Sequence, residues 1–504
     1  MKTRLVTWPW VGPRLHTLQP GQPSIWAIAD PGLGPALGFC VEVHRRSGRL
    51  TLHGGVQLRT AEVRIDGWSS IPLPTSALHP DSAIACLLLY DWPGPDAEPE
   101  SAVELSAAWV QSALDRLVAQ ERPQELPLVE ARALAGATVL GNLEAPITFA
   151  LASCQYPATP LNEDVAHASL ARLARRSIDQ SKEPLRFTLF MGDQIYADAS
   201  SGLMEPRQLH ERYARKYENY LRVAGLRQVM RCMPVFMMLD DHEVSLDCEP
   251  PYTGEQEQYL DAGLSAYWAY QRMEPAGPHL WFEPCGGQHI GLFVLDTRSA
   301  REPRTVRTYR TASMLGKEQM QALKDWMLAR DPESLKLVGS ASMLLPRHLQ
   351  NSDCTLRLDG WDGYPRSLHE LLAFLCDHQI PNVVFLCGDE HLSCVATVDL
   401  RCGSRSTRLL SVESSALYAP FAFANTNASD LLMNEDFAFD HGGQTYHCQV
   451  RTDLLDAGDG YFELCCRRRG GWRLDCSFDG ALGQWRREYA MTGLGAAPLE
   501  NTPA

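Results

Sequence analysis

No apolar run in this chain of 504 residues reaches the ~18 residues that a membrane-spanning helix needs. An export signal cannot be drawn at the start either. Lys2 and Arg4 are followed by Trp8, Pro9, Trp10 and Pro13 in place of an apolar h-region, and no twin-arginine signal stands in this stretch. The 15 cysteines include no CxxC pair and are odd in number. Several, such as Cys86, Cys232 and Cys376, sit inside apolar runs, which suits reduced thiols and a cytoplasmic compartment better than a disulfide framework. Positive charge is scarce too: a formal net charge of -15 argues against nonspecific nucleic-acid binding, which needs a cationic surface to displace counterions. The one compact basic cluster, Arg467 to Arg469, reads as a solvated hairpin end. There is no repeat at a fixed period, no GxxxxGK[ST] phosphate loop, and GSASM at 339–343 lacks the GxSxG pattern of a nucleophile elbow.

What is present begins with length: the chain is too long for one hydrophobic core, so two domains or one large elaborated domain are expected. Residues 1–145 carry short β-like runs such as FCVEVHRR and RLTLHGGVQLRTAEVRI among prolines and glycines, and are expected to form a small β-rich domain. A helical stretch from roughly Ser101 to Gln120 serves it as a connector. From Ile147 apolar strands are expected at 147–152, 187–191, 235–239, 289–295, 335–339 and 382–387. Between them lie amphipathic segments such as GKEQMQALKDWMLAR and RSLHELLAFLCDH, and the alternation predicts α/β layering. β-like runs return after Asp399. The expected division is 1–145, then 146–490, then a flexible tail, 491–504.

Several of those strands close with donor side chains. ITFALASCQ carries Cys154; FTLFMGDQIYAD carries Asp193 and Tyr196; VFMMLDDHE ends in Asp240, Asp241, His242 and Glu243; NVVFLCGDEH ends with Asp389 and His391. An α/β protein gathers metal ligands at one sheet edge in this way. Singly, each has a plainer reading: Asp193 as a cap of the next turn, Tyr196 as a half-buried aromatic, Cys154 as a small buried hydrophobe. The LDDHE run is harder to explain without cations, because three neighbouring carboxylates repel. If the strand continued, alternation would point Asp240 and His242 one way and Asp241 and Glu243 the other, so not all four are expected to be ligands.

The pieces ASCQ, GDQIYAD, DDHE, LDTRS, WDGYP and GDEH occur in that order between residues 152 and 391. In this the chain resembles the PhoD-like alkaline phosphatases and phosphodiesterases of the calcineurin-like metallophosphatase superfamily. The resemblance implies a layered sandwich of two mixed β-sheets flanked by helices, preceded by the small β-rich domain. It implies ferric iron with divalent ions, calcium in the best-known type, with Mn2+, Mg2+ or Zn2+ as alternatives. By motif, Cys154 supplies a thiolate, Asp193 the bridging carboxylate and Tyr196 a phenolate on iron. Asp241 takes the place of the asparagine in the superfamily's GNHE motif, His242 that of the proton donor or phosphate binder, and Asp389 and His391 complete the shell. Arg298 of LDTRS is a second catalytic candidate, with pairing to a sheet-end carboxylate as its alternative role. The implied reaction is hydrolysis of a phosphate ester, with a water held between cations attacking phosphorus in line. Two departures stand out. DDHE is followed by VSLDCEP, leaving Asp247 as a substitute ligand candidate, and Arg366 follows WDGYP directly. They motivate the alternative, a noncatalytic metal-binding module of the same fold.

Overall fold

ITFALASCQ forms the strand Ile147–Gln155, buried along its whole length. Alternation explains the residue choice: Phe149 and Leu151 enter a core between two sheets, whereas Ala150 and Ala152 face the outer helices. Leu185–Phe190 and then Val235–Met237 pair parallel beside it. All three read as near-continuous apolar runs because strands covered on both faces have no solvent side. On the other flank Gly460–Arg468, Trp472–Gly480 and Gln484–Ala490 continue antiparallel, and Ala416–Tyr418 pairs with the end of Ile147–Gln155, giving a seven-stranded mixed sheet.

The second mixed sheet has eight strands, in the order Phe282–Gly286, Ile290–Val294, Leu335–Ser340, Val383–Cys387, Arg405–Glu413, Ser393–Cys402, Gln444–Asp456 and Asp436–His441. Phe149, Leu151 and Leu189 of the first sheet meet Leu292, Leu337 and Val384 of the second in one apolar layer. Helices Ala168–Ile178, Leu209–Leu221 and Ala224–Cys232 cover the outer face of the first sheet. Helices Gly316–Ala329 and Pro365–Asp377 cover that of the second. Their stripes are those the amphipathic pattern predicts, with Leu323, Met327, Leu368, Leu372 and Leu375 buried. Pro365 starts its helix, where a missing amide hydrogen costs nothing.

The N-terminal part contributes a six-stranded antiparallel sheet and a three-stranded one, Val11–Gln19, Gln22–Ile28 and Ser69–Ile71. Helix Ala107–Val118 begins after Ser106, whose side chain accepts from the Trp109 amide, and it packs its apolar side on the larger sheet. This computed structural model describes residues 5–19, 22–46, 49–53, 59–73, 78–90, 106–121, 126–136, 146–199, 206–246, 248–250, 252, 254–273, 277–286, 289–345, 359–420, 434 and 436–491. The expected tail therefore lies outside the described residues apart from Met491, which is buried, as do residues 101–105 of the expected helix and Asp247. Among the described residues no helix is long and apolar enough to cross a membrane.

Candidate metal centre

Cys154 closes the strand Ile147–Gln155, Asp193 follows Leu185–Phe190, Asp240 and Asp241 follow Val235–Met237, and Asp389 follows Val383–Cys387. Carboxyl ends of parallel strands from both sheets thus converge, the place where open α/β sheets bind ligands. Backbone bonds hold the ends in step: the Cys154 amide donates to Gly192 O at 3.1 Å and the Gln155 amide to Asp193 O at 2.8 Å. Close approach demands glycine at Gly192. Its φ is +103°, and a Cβ there would lie 2.3 Å from the Asp240 Cβ. Of the eight non-glycine residues with positive φ among those described, four are Cys154, Asp193, Asp389 and His391. Such backbone strain persists only where the surroundings over-determine it, and it gathers at functional sites.

Donor atoms fall into three groups, each with its atoms within 4.8 Å of one another: Cys154, Asp193 and His391; Asp193, Asp241 and His242; Asp193, Asp240, Asp241 and Asp389. Asp193 belongs to all three. The Cys154 thiol donates to Asp193 Oδ2 at 3.5 Å, and Tyr196 Oη lies 3.2 Å from His391 Nε2. The Tyr196 ring sits 4.0 Å from that of His242, centroid to centroid. Asp198 fixes the imidazole, with its Oδ1 2.7 Å from His242 Nδ1 and its Oδ2 accepting from the Leu246 amide at 2.8 Å.

The charge balance calls for cations. Asp193, Asp240, Asp241 and Asp389 are all buried, and the guanidinium among them is Arg298, 1% exposed, bonded to Asp240 and Asp359 and 3.6–3.7 Å from Asp389 and Asp241. Burial and then the neighbouring carboxylates push Asp193 and Asp389 well above the usual carboxylate range, and Asp240 Oδ2 is buried without a hydrogen-bond partner. Buried charge of one sign is costly unless paired. Burial, followed by Cys154 for Tyr196 and by Asp193 for Cys154, likewise raises the phenol and the thiol. Carboxylate, thiol, phenol and imidazole side by side are donors of the kinds that hold metal ions. His242 differs: burial opposes its charge, but Asp241 and then Asp198 push it up to about 9.

All of the expected ligands therefore meet in one place, with two revisions of detail. The strand ends at Met237, so alternation does not govern LDDHE. Asp240, Asp241 and His242 all face the donor groups, while Glu243 turns back to accept the amides of Asp193, Gln194 and Asp240 at 2.8–3.0 Å. Arg298 takes the second of its two expected roles, tied to strand-end carboxylates, and Arg366 bonds Thr311 O at 2.8 Å and is half exposed. Asp359 was not singled out by the sequence. Burial favours its neutral form, yet Arg298 and Arg301 hold it well below the usual range; an aspartate in a loop carries no signal of such a partnership. Asp198 was visible inside GDQIYAD, but its partner comes from a different strand end.

The fold and site define an α/β protein with a buried, carboxylate-rich cluster of candidate metal ligands at the strand ends. A family model for PhoD-like phosphatase matches residues 149–434, more than half of the chain, and the chain belongs to that family. Alkaline phosphatase D of Bacillus subtilis (strain 168) is 24% identical over 301 residues, covering 53% of this chain and 49% of that protein. The match thus spans about half the length of this curated relative. A solved structure of PhoD superposes with a TM-score of 0.61 at 16% identity, covering 99% of this chain and 93% of that one, a likeness of fold.

Proposed function

We propose that the chain is a metal-dependent phosphoric ester hydrolase whose centre is organised around Asp193. The observation that carries this reading is that one buried carboxylate belongs to all three donor groups, the position a bridging ligand between ions requires. Cys154, Tyr196 and His391 would hold ferric iron on one side of Asp193, and Asp241 and Asp389 divalent ions, calcium first, on the other. When bound, such ions acidify a water and neutralise charge developing on the phosphoryl oxygens. His242 is positioned by Asp198 to keep a proton for the departing alkoxide. Arg298 balances Asp240 and Asp359 and so ties the strand end at Asp240 to the loop that carries Asp359. Residues 1–145 act as an N-terminal β-rich unit and 146–490 as the catalytic unit. The thirteen free cysteines described support a reducing, cytoplasmic setting.

The test is hydrolysis of p-nitrophenyl phosphate and bis(p-nitrophenyl) phosphate by metal-replete protein. Wild type should turn over at least one, and Asp193→Asn should lose about 10^3-fold or more of that rate, as expected when a metal bridge is removed. Equal rates for the two proteins would overturn the proposal. Tight metal binding without turnover would instead favour the noncatalytic module.

A further inference from the structure

Helix Glu255–Tyr267 does not end in an ordinary cap. It runs into a π-helical turn, Trp268–Arg272, which stops at Met273 in the left-handed region. Wide turns of this kind recur at functional sites, and here the turn presents Gln271. Its Nε2 donates to Glu243 Oε1 at 2.9 Å and to Tyr217 Oη at 3.1 Å. Glu243 is the carboxylate that gathers the amides of Asp193, Gln194 and Asp240, so Gln271 stands two hydrogen bonds from the backbone of two candidate ligands.

The turn's carbonyls point out of regular pairing, and the N-terminal sheet takes them up. Trp68 donates its amide to Ala269 O at 3.3 Å and its indole N–H to Tyr270 O at 2.7 Å. The buried Arg14 donates to Tyr270 O and Gln271 O, both at 3.4 Å, and to Val235 O at 2.6 Å. The last of these opens the strand that leads to Asp240. A buried guanidinium serving three carbonyls of one neighbouring segment and strand is a costly choice for mere contact between sheets.

We infer that Gln271 is a positioning residue for the metal centre, and that Arg14 and Trp68 of the N-terminal sheet hold the π-helical turn that presents it. The inference rests on the metal-centre reading above. Loss of the Gln271 donor leaves a Glu243 oxygen less firmly held and loosens both ligand loops; outer partners of this kind are worth about 10- to 100-fold in metal affinity.

The experiment measures metal dissociation constants and melting temperatures of the full chain for wild type, Gln271→Met, Trp68→Phe, Arg14→Met and a control, Arg231→Met. Arg231 also crosses to the N-terminal part, through Leu126 O, but makes none of the contacts with the turn. Gln271→Met keeps the volume and removes the donor; Trp68→Phe keeps a ring and removes the indole N–H, and it stands in should Arg14→Met fail to fold. The expected result is metal affinity weakened tenfold or more in Gln271→Met and weakened in Trp68→Phe, with Arg231→Met melting lower but binding as wild type does. Unchanged affinity in folded Gln271→Met would overturn the inference. Equal affinity in Trp68→Phe and Arg231→Met would overturn the N-terminal share of it. A wild-type protein that binds no metal would instead bring down the reading on which it rests.

Discussion

Gly192 shows how closely single residues are constrained here. Alanine at that position would place its Cβ 2.3 Å from the Asp240 Cβ, at a φ of +103° that L side chains avoid. Either the loop moves or the strand end does. Gly192→Ala is expected to lower stability by about 2 kcal/mol or more and to weaken metal binding with it, as read by urea unfolding and metal titration. A variant as stable as wild type would mean that the loop can relax without disturbing Asp240. Gly388 meets a similar limit, since a Cβ there would sit 2.4 Å from the Ser153 Oγ.

Between elements, the strand ends are coupled through charge. Arg298 reaches Asp240 beyond a strand of the first sheet, Asp389 beyond a strand of the second and Asp359 in a loop, and removing it leaves buried carboxylates uncompensated. Arg298→Met should therefore cost about 3–5 kcal/mol of stability in the metal-free protein, measured by denaturant unfolding after chelation. A cost below about 1 kcal/mol, the range of exposed pairs, would show that the Arg298 pairs contribute no more than surface ones. The same region shows what was readable from sequence. Strands such as Ile147–Gln155 and Val383–Cys387 were legible because strands covered on both faces are apolar runs. The residues that gather into the candidate site were legible because each closes such a run and the motifs come in order. Residues that act through long-range partners were not: Asp359, Gln271 and Arg14 owe their roles to neighbours 58, 28 and more than 200 residues away. The course of LDDHE was not legible, because alternation applies only while a strand continues and this one stops at Met237, short of the expected 239.

For the whole molecule, the surplus of buried carboxylate fixes the sign of the pH dependence. In the metal-free protein burial raises Asp193, Asp240 and Asp389, with Asp240 reaching about 7. The folded state then binds more protons than the unfolded one, whose carboxyls titrate near ~4. Stability is fully present below that value and lost as pH rises through the folded-state values. The melting temperature of chelated protein should fall from about pH 5 to about pH 8, and metal should abolish the fall by taking the place of the protons. A chelated protein that becomes more stable over that interval would contradict the charge surplus.

A mixed centre containing iron, held by Cys154, Asp193, Tyr196 and their neighbours, is the proposal on which the rest depends. Elemental analysis of never-chelated protein, taken with its visible absorption spectrum, tests this most directly. The expected result is iron together with a divalent metal, and a charge-transfer band that disappears in Tyr196→Phe. Protein that carries no metal, or iron whose band is unchanged in Tyr196→Phe, would contradict it.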